Sequence, residues 1–131
     1  MKFKLVTYES LTEEEQKWLA PIDGKIEFNL MLDKVKSGEW WLFKLPYPAQ
    51  GLAVGCADAG KLFIYYLRGF QLFGTVSAED LLDAARYVGL SGMKAETRKL
   101  GVLKLMLNKG FRLTQTLPGP VYGVELDDER R

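Results

Sequence analysis

The chain contains no histidine and a single cysteine, Cys56. Those two shortages remove the usual ligands of a zinc site and the usual base of a Ser-His or Cys-His hydrolase. One thiol cannot close an internal disulfide, and the opening residues lack the cationic, apolar, small-residue pattern of a secretory leader, so the cytoplasm is the expected compartment. Charge of one sign is also missing. Lys and Arg number 18 against 17 Asp and Glu, a formal net charge of +1, so no global field gathers polyanions and no nucleic-acid partner is expected. Apolar runs such as residues 62–67 fall far short of the ~20 residues that span a bilayer, which argues against a membrane partner. Cys56 lies in the apolar stretch GLAVGCA with no basic neighbour to lower its pKa, and reads as a buried, inert thiol rather than a nucleophile.

What is present suits a packed core: 47% of the 131 residues are hydrophobic and 12% aromatic. No repeat, low-complexity tract or linker divides the chain, so residues 1–131 are expected to form one domain. Phe3 to Thr7 is a short strand-like opening. Thr12 with Glu15 three positions on is a capping box, predicting a helix from Thr12 that stops before Pro21. Phe28, Met31, Leu32 and Val35 form an amphipathic stripe that Ser37 and Gly38 end. Three β-rich runs, 40–45, 51–57 and 61–67, predict an antiparallel meander. Trp40, Trp41, Leu42 and Phe43 place apolar groups on both faces of the first run, so the sheet is expected to carry layers on both sides. Gly51 and Gly55 mark a bulge or a close backbone contact, or simply weaken the strand.

Ser77 with Asp80 caps a helix carrying Leu81, Leu82, Ala85 and Val88, which ends at Gly89. Residues 93–98, MKAETR, alternate as a strand. Leu100, Leu103, Met106 and Leu107 form a further helical stripe before Gly110, and two last strands flank Pro118, Gly119 and Pro120. The predicted fold class is α/β (α+β): a mixed central sheet with helices on both faces, in the order β-αα-βββ-α-β-α-β-β. The apolar final strand either pairs with a second subunit, giving a homodimer, or closes the sheet.

From about residue 61 to 126 the succession of the strand KLFIYYL, a glycine-bearing loop, a helix, the strand MKAETR and the helix closing on Lys109-Gly110-Phe111-Arg112 resembles the second half of the GNAT superfamily of acyl-CoA N-acyltransferases. The resemblance implies acetyl-CoA as co-substrate, a small amine or a protein amino group as acceptor, and a cleft between splayed fourth and fifth strands. Compact, divergent members of this kind occur in bacteriophage genomes. The family holds the coenzyme pyrophosphate on backbone amides of a Gln/Arg-x-x-Gly-x-Gly/Ala loop, where free N–H groups and the helix dipole favour an anion. Gln71 and Gly74 match that pattern; Val76 replaces its final small residue. Leu67, Arg68, Gly69, Gln71, Phe73, Gly74 and Thr75 are the coenzyme-binding residues the resemblance implies.

Chemistry in the family is attack of an amine on a thioester, which needs proximity, a base for the ammonium proton and help for the departing thiolate. Glu96, or a water held near Tyr65 or Tyr66, is the candidate base. Met106 stands where the family commonly has a tyrosine acid, and Lys99 where it often has an asparagine. A thiol with a reference pKa near ~8.5 departs tolerably without an acid, so these changes slow the reaction without forbidding it. Trp40, Trp41, Phe43 and Tyr47 either pack the core or line an acceptor pocket. Three readings follow: an acyl-CoA-dependent N-acyltransferase, a GNAT-like fold without catalysis that serves as a binding or assembly module, and a small α/β domain outside the family.

Overall fold

The computed structural model describes residues 3–19, 26–45, 51–69 and 76–128. Strand β1 (Lys4–Val6) leads through a 3₁₀ turn (Tyr8–Ser10) into helices α1 (Glu13–Trp18) and α2 (Ile26–Ser37). Strands β2 (Trp41–Leu45), β3 (Gly51–Asp58) and β4 (Lys61–Gly69) follow, then α3 (Ala78–Tyr87), β5 (Gly92–Thr97), α4 (Leu100–Asn108), β6 (Arg112–Leu117) and β7 (Val121–Asp127). The order is the one the sequence predicts, with the 3₁₀ turn added.

The expected caps form. Thr12 N–H donates to Glu15 Oε1 at 2.9 Å while Glu15 N–H donates to Thr12 Oγ1 at 3.2 Å, and Ser77 and Asp80 repeat the exchange at α3. Each exchange satisfies two backbone donors that the first helical turn leaves open.

The strands form one sheet in the order β1-β2-β3-β4-β5-β7-β6. All pairs are antiparallel except β4 with β5, which are parallel and joined through α3. Alternation along β2 sends Leu42 to one face and Phe43 and Leu45 to the other. On the first face Leu42, Leu52 and Val54 pack with Met31 and Val35 of α2 and with Leu11 and Leu19. Leu32 of the same stripe is partly buried against that cluster, and the side chain of Phe28 lies outside those described. On the second face Phe43, Ala53, Leu62, Met93, Val124 and Leu126 pack with α3 and α4. The two-sided core read from residues 40–45 is therefore the observed one. Cys56 is half-buried rather than buried; desolvation, with Asp58 nearby, pushes its thiol up and keeps it inert.

The final strand does not offer an edge. β7 lies between β5 and β6, and the edge at that end of the sheet belongs to β6, whose residues are all exposed. The cause is the hairpin after α4: its first arm goes outside, while Val124 and Leu126 on its second arm carry the apolar side chains that the core takes in.

α1 and α2 cover the first face only over the early strands; beyond β4 that face carries charge. Lys61 bonds Asp127 at 2.7 Å and also Glu125, Arg112 bonds Asp127 at 2.8 Å, and Lys94 bonds Asp58 at 3.1 Å. At the end of β7, Arg86 grips the buried Asp128 carboxylate through two bonds of 2.9 Å. Ser91 N–H donates to Gly60 O at 2.9 Å, tying the β3–β4 turn to the start of β5.

Two glycines test this packing in opposite directions. A Cβ on Gly92 would sit 2.6 Å from the Leu126 carbonyl oxygen, so the β5–β7 ladder must shift to admit it. Gly92→Ala is expected to destabilise by about 1–3 kcal/mol in urea unfolding. Gly101, in α4 with nothing within 4 Å of a built Cβ, gives the reverse: Gly101→Ala is expected to stabilise by ~0.5–1 kcal/mol. Equal effects of the two changes would show that the ladder at Gly92 is not tight.

The charged face predicts an acid limb. Arg112, and then Lys61, hold the Asp127 carboxyl down at about 2, against an ordinary 3.8. Because the folded value is the lower one, this contribution is complete above the unfolded pKa and is lost as pH falls through the folded one. The urea midpoint of the wild type should therefore exceed that of Asp127→Asn at pH 6, with the gap closing between about pH 4 and pH 2. A gap independent of pH would contradict the pairing.

Candidate active site

The parallel ladder between β4 and β5 is short: Leu62, Phe63 and Ile64 pair with Met93, Lys94 and Ala95, and no pair follows. Past Ile64 the ladder between β3 and β4 slips, Gly55 facing Ile64 and Val54 facing Tyr66, which leaves Tyr65 without a partner on β3. An inserted residue of this kind bends its strand and raises the local twist. The site is also tight on the β3 side, because a Cβ on Gly55 would lie 2.7 Å from Leu62 Cδ1. Of the readings given for Gly55 the bulge is the one found, and the near neighbour is the Leu62 side chain rather than backbone. β4 continues to Gly69, still paired with β3 through Leu67, Arg68 and Gly69 opposite Ala53, Leu52 and Gly51. Its other edge, from Tyr65 on, has no strand partner among the described residues.

The separation opens a cleft of about 420 Å³ lined by Phe63, Ile64, Tyr65, Glu96, Thr97, Arg98 and Val121. The two residues expected to do chemistry, Tyr65 and Glu96, are brought together in it from different strands. Glu96 is exposed and pairs across the ladder with Gly123; its neighbours Met93 and Ala95 point into the opposite core, so Glu96 looks out on the α1/α2 side. Tyr65 is 40% exposed, and its ring meets that of Trp40 with centroids 4.8 Å apart and planes at 53°. Trp40 in turn packs on the cluster beneath α2. This anchors the phenol while leaving it open to the cleft. Strict alternation in an unbroken strand would set Tyr65 and Tyr66 on opposite faces, but the register shift falls at this point.

The aromatic residues near the start of β2 divide their roles. Phe43 is core, Trp41 packs on the α3/α4 side and Trp40 reaches the cleft through its ring contact with Tyr65; Tyr47 lies outside the described residues. Of the implied coenzyme residues, Leu67, Arg68 and Gly69 belong to the end of β4 rather than to a loop, and Gln71, Phe73, Gly74 and Thr75 lie outside the described residues. Val76 is buried against the α3/α4 core just before the Ser77 cap. Met106 is buried in the same core and helps line a small apolar cavity of about 40 Å³, with Ile64, Ala95 and Phe111 among its neighbours. Its thioether has no proton to give. Lys99 is the exposed N-cap residue of α4 and makes no side-chain cap bond.

Charges in the cleft stand apart from those on the rest of the sheet. Along β3 to β7 every described charged side chain except Glu96 is held by one of opposite sign: Asp58 by Lys94, Lys61 by Glu125 and Asp127, Arg112 by Asp127. Neither Glu96 nor Arg98 has an ion-pair or hydrogen-bond partner among the described residues. Arg98, Thr97, Phe63 and Val121 are cleft residues that sequence reasoning did not single out. Alternation in MKAETR does put Arg98 on the side of Glu96, whereas nothing local in the sequence brings Val121 there.

No protein-family model matches the chain, and no curated protein matches it. Solved structures do. The N-acetyltransferase PseH of Campylobacter jejuni superposes with a TM-score of 0.62 at 17% identity over 98% of this chain and 100% of its own. Its complex with acetyl coenzyme A gives a TM-score of 0.59 at 18% identity, over 97% of this chain and 99% of that one. Ard1 of Thermoplasma volcanium gives 0.58 at 16% identity, covering 97% and 98% of the two chains. The protein yncA of Salmonella typhimurium, solved with its cofactor acetyl-CoA, gives 0.59 at 12% identity over 98% and 94%. The likeness spans whole chains on both sides and is one of fold: the mixed seven-stranded sheet with its helices is the GNAT acyl-CoA N-acyltransferase fold that the second half of the sequence resembles.

Proposed function

We propose that the protein is an acyl-CoA-dependent N-acyltransferase that moves an acetyl group from coenzyme A to an amine of a small molecule or a protein. The observation that carries this reading is the parting of β4 from β5 after Ile64 and Ala95, which leaves a free backbone edge on β4 beside a cleft holding Tyr65 and Glu96. In an antiparallel ladder alternate residues direct their N–H and C=O groups away from the partner strand. On β4 beyond Ile64 those groups face the gap, and an amide-bearing chain laid along it satisfies them as a strand would. The solved acetyl-CoA complexes of the same fold support acetyl-CoA as that chain.

The pyrophosphate is assigned to residues 68–76, with Gly74 admitting close backbone approach and the capped start of α3 adding its positive dipole end. Glu96, directly or through a water at Tyr65, takes the ammonium proton so that a neutral amine attacks the thioester carbonyl. The C–N bond forms, the C–S bond breaks, the nitrogen gives up its second proton to the departing thiolate or to solvent, and the sulfur leaves unassisted by Met106. Proton transfer by a positioned base is worth ~10²–10⁴ in rate.

Two measurements test this. Saturating acetyl-CoA should raise the thermal midpoint, by an amount equivalent to about 2.7 kcal/mol at a hundredfold excess over Kd, and Gly74→Asp should abolish the rise by placing a carboxylate against the pyrophosphate. No shift at millimolar ligand would remove the coenzyme from the account. Glu96→Gln should then lower kcat by ~10²–10⁴ with the acetyl-CoA shift intact; an unaltered kcat would take Glu96 out of the base role. The burial of Met106 favours a second reading, a coenzyme-binding or assembly module without turnover. That reading predicts the thermal shift with no amine-dependent thiol release.

A further inference from the structure

Among the described residues the cleft is lined by one carboxylate and one guanidinium, from Glu96 and Arg98, and by no other charged side chain. Neither has a partner among the described residues, although the remaining described charges on strands β3 to β7 are all paired on the same sheet. They do not satisfy one another either. They stand two residues apart at the end of β5, where the strand rise of ~3.3 Å per residue sets neighbours on one side roughly 6–7 Å apart, and no ion pair joins them.

A site that accepts an amine needs the carboxylate, but it has no use for an arginine beside it unless the amine brings an anion. Arg98 repels a second cation, which disfavours polyamines and lysine-rich segments. Its planar fork also matches the two oxygens of a carboxylate or phosphate, which a single ammonium point charge does not. Thr97 fixes where the arginine leaves the strand, since its Oγ1 accepts from Lys99 N–H at 3.1 Å and holds the bend that follows β5.

We propose that the acceptor is an amine carrying a carboxylate or phosphate on the same small molecule, with its ammonium end at Glu96 and its anion on Arg98. Arg98 is then a specificity residue: it binds the far end of the acceptor and takes no part in proton transfer. The inference rests on the acyltransferase reading for the fate of the amine, and on the cleft alone for binding.

Matched ligand pairs that differ only in the anion test it: β-alanine against β-alaninamide, and O-phosphoethanolamine against ethanolamine. Calorimetry reads binding without coenzyme, and thiol release reads transfer. The anionic member of at least one pair should be preferred by roughly 10-fold or more, as expected for a charge-assisted bidentate bond. The pair that shows the preference identifies the anion as carboxylate or phosphate. Arg98→Gln should erase the preference while leaving the acetyl-CoA thermal shift intact, and Arg98→Lys should restore part of it. Equal treatment of both members, a preference that survives Arg98→Gln, or no binding of either anionic ligand overturns the proposal. If acetyl-CoA neither binds nor reacts while calorimetry still shows an Arg98-dependent preference, the acyltransferase reading fails and the anion site stands.

Discussion

β4 and β5 share a parallel ladder over three residues and then part, and the cause is on the opposite side of β4, where Tyr65 is one residue too many for β3. An extra residue of this kind bends its strand and increases its twist, while β7 pairs with β5 along its whole length and holds it in the sheet. At the other end the two strands cannot separate, since the turn at Gly60 is tied to Ser91 and both strands pack the same core through Leu62 and Met93. A sheet closed at one end and opened at the other by a single inserted residue is the constraint on which the cleft depends.

The two faces of the sheet answer that opening differently. On the α3/α4 side the gap lies over apolar side chains, Ile64, Ala95, Met106 and Phe111, which offer shape and dryness but no proton. On the α1/α2 side the helices stop short, and the bare sheet presents Tyr65, Glu96 and Arg98 with a field of paired charges beyond them. Those pairs tie β3 to β5, β4 to β7 and β6 to β7 without covering apolar surface. Their contribution to stability is modest where they are exposed. Burial gives Arg86 and Asp128 a different part: the carboxylate is out of water and the guanidinium satisfies both of its oxygens, which fixes the end of β7 to α3. Removing one partner there strands a charge, so that pair holds position more than it adds stability.

The likeness to PseH, Ard1 and yncA covers nearly the entire chain at 12–18% identity. Conservation of shape at that level of sequence difference is what close packing permits: apolar patterns and turn chemistry persist while individual core residues are exchanged for others of similar volume.

Local rules sufficed for most of the architecture. Thr12 and Ser77 announced their helices because a side-chain oxygen three residues from an acidic partner has one favourable use, and the alternation of residues 40–45 announced a sheet packed on both sides because period and burial are coupled in a strand. Glu96 and Tyr65 were legible as site candidates through the order of elements around them. Gly55 marked a bulge, but the strand it frees at Tyr65, the inner position of β7, the arrival of Val121 beside Arg98 and the lack of partners for Glu96 and Arg98 among the described residues were not legible. Each depends on which strand lies next to which, and strand adjacency is settled by burial summed over the whole molecule rather than by any stretch of neighbouring residues. The sequence by itself determined the elements and the kind of fold they make, and through its resemblance the pair of strands that part; only the tertiary structure decided the residue at which they part and which described charges there are left without a partner.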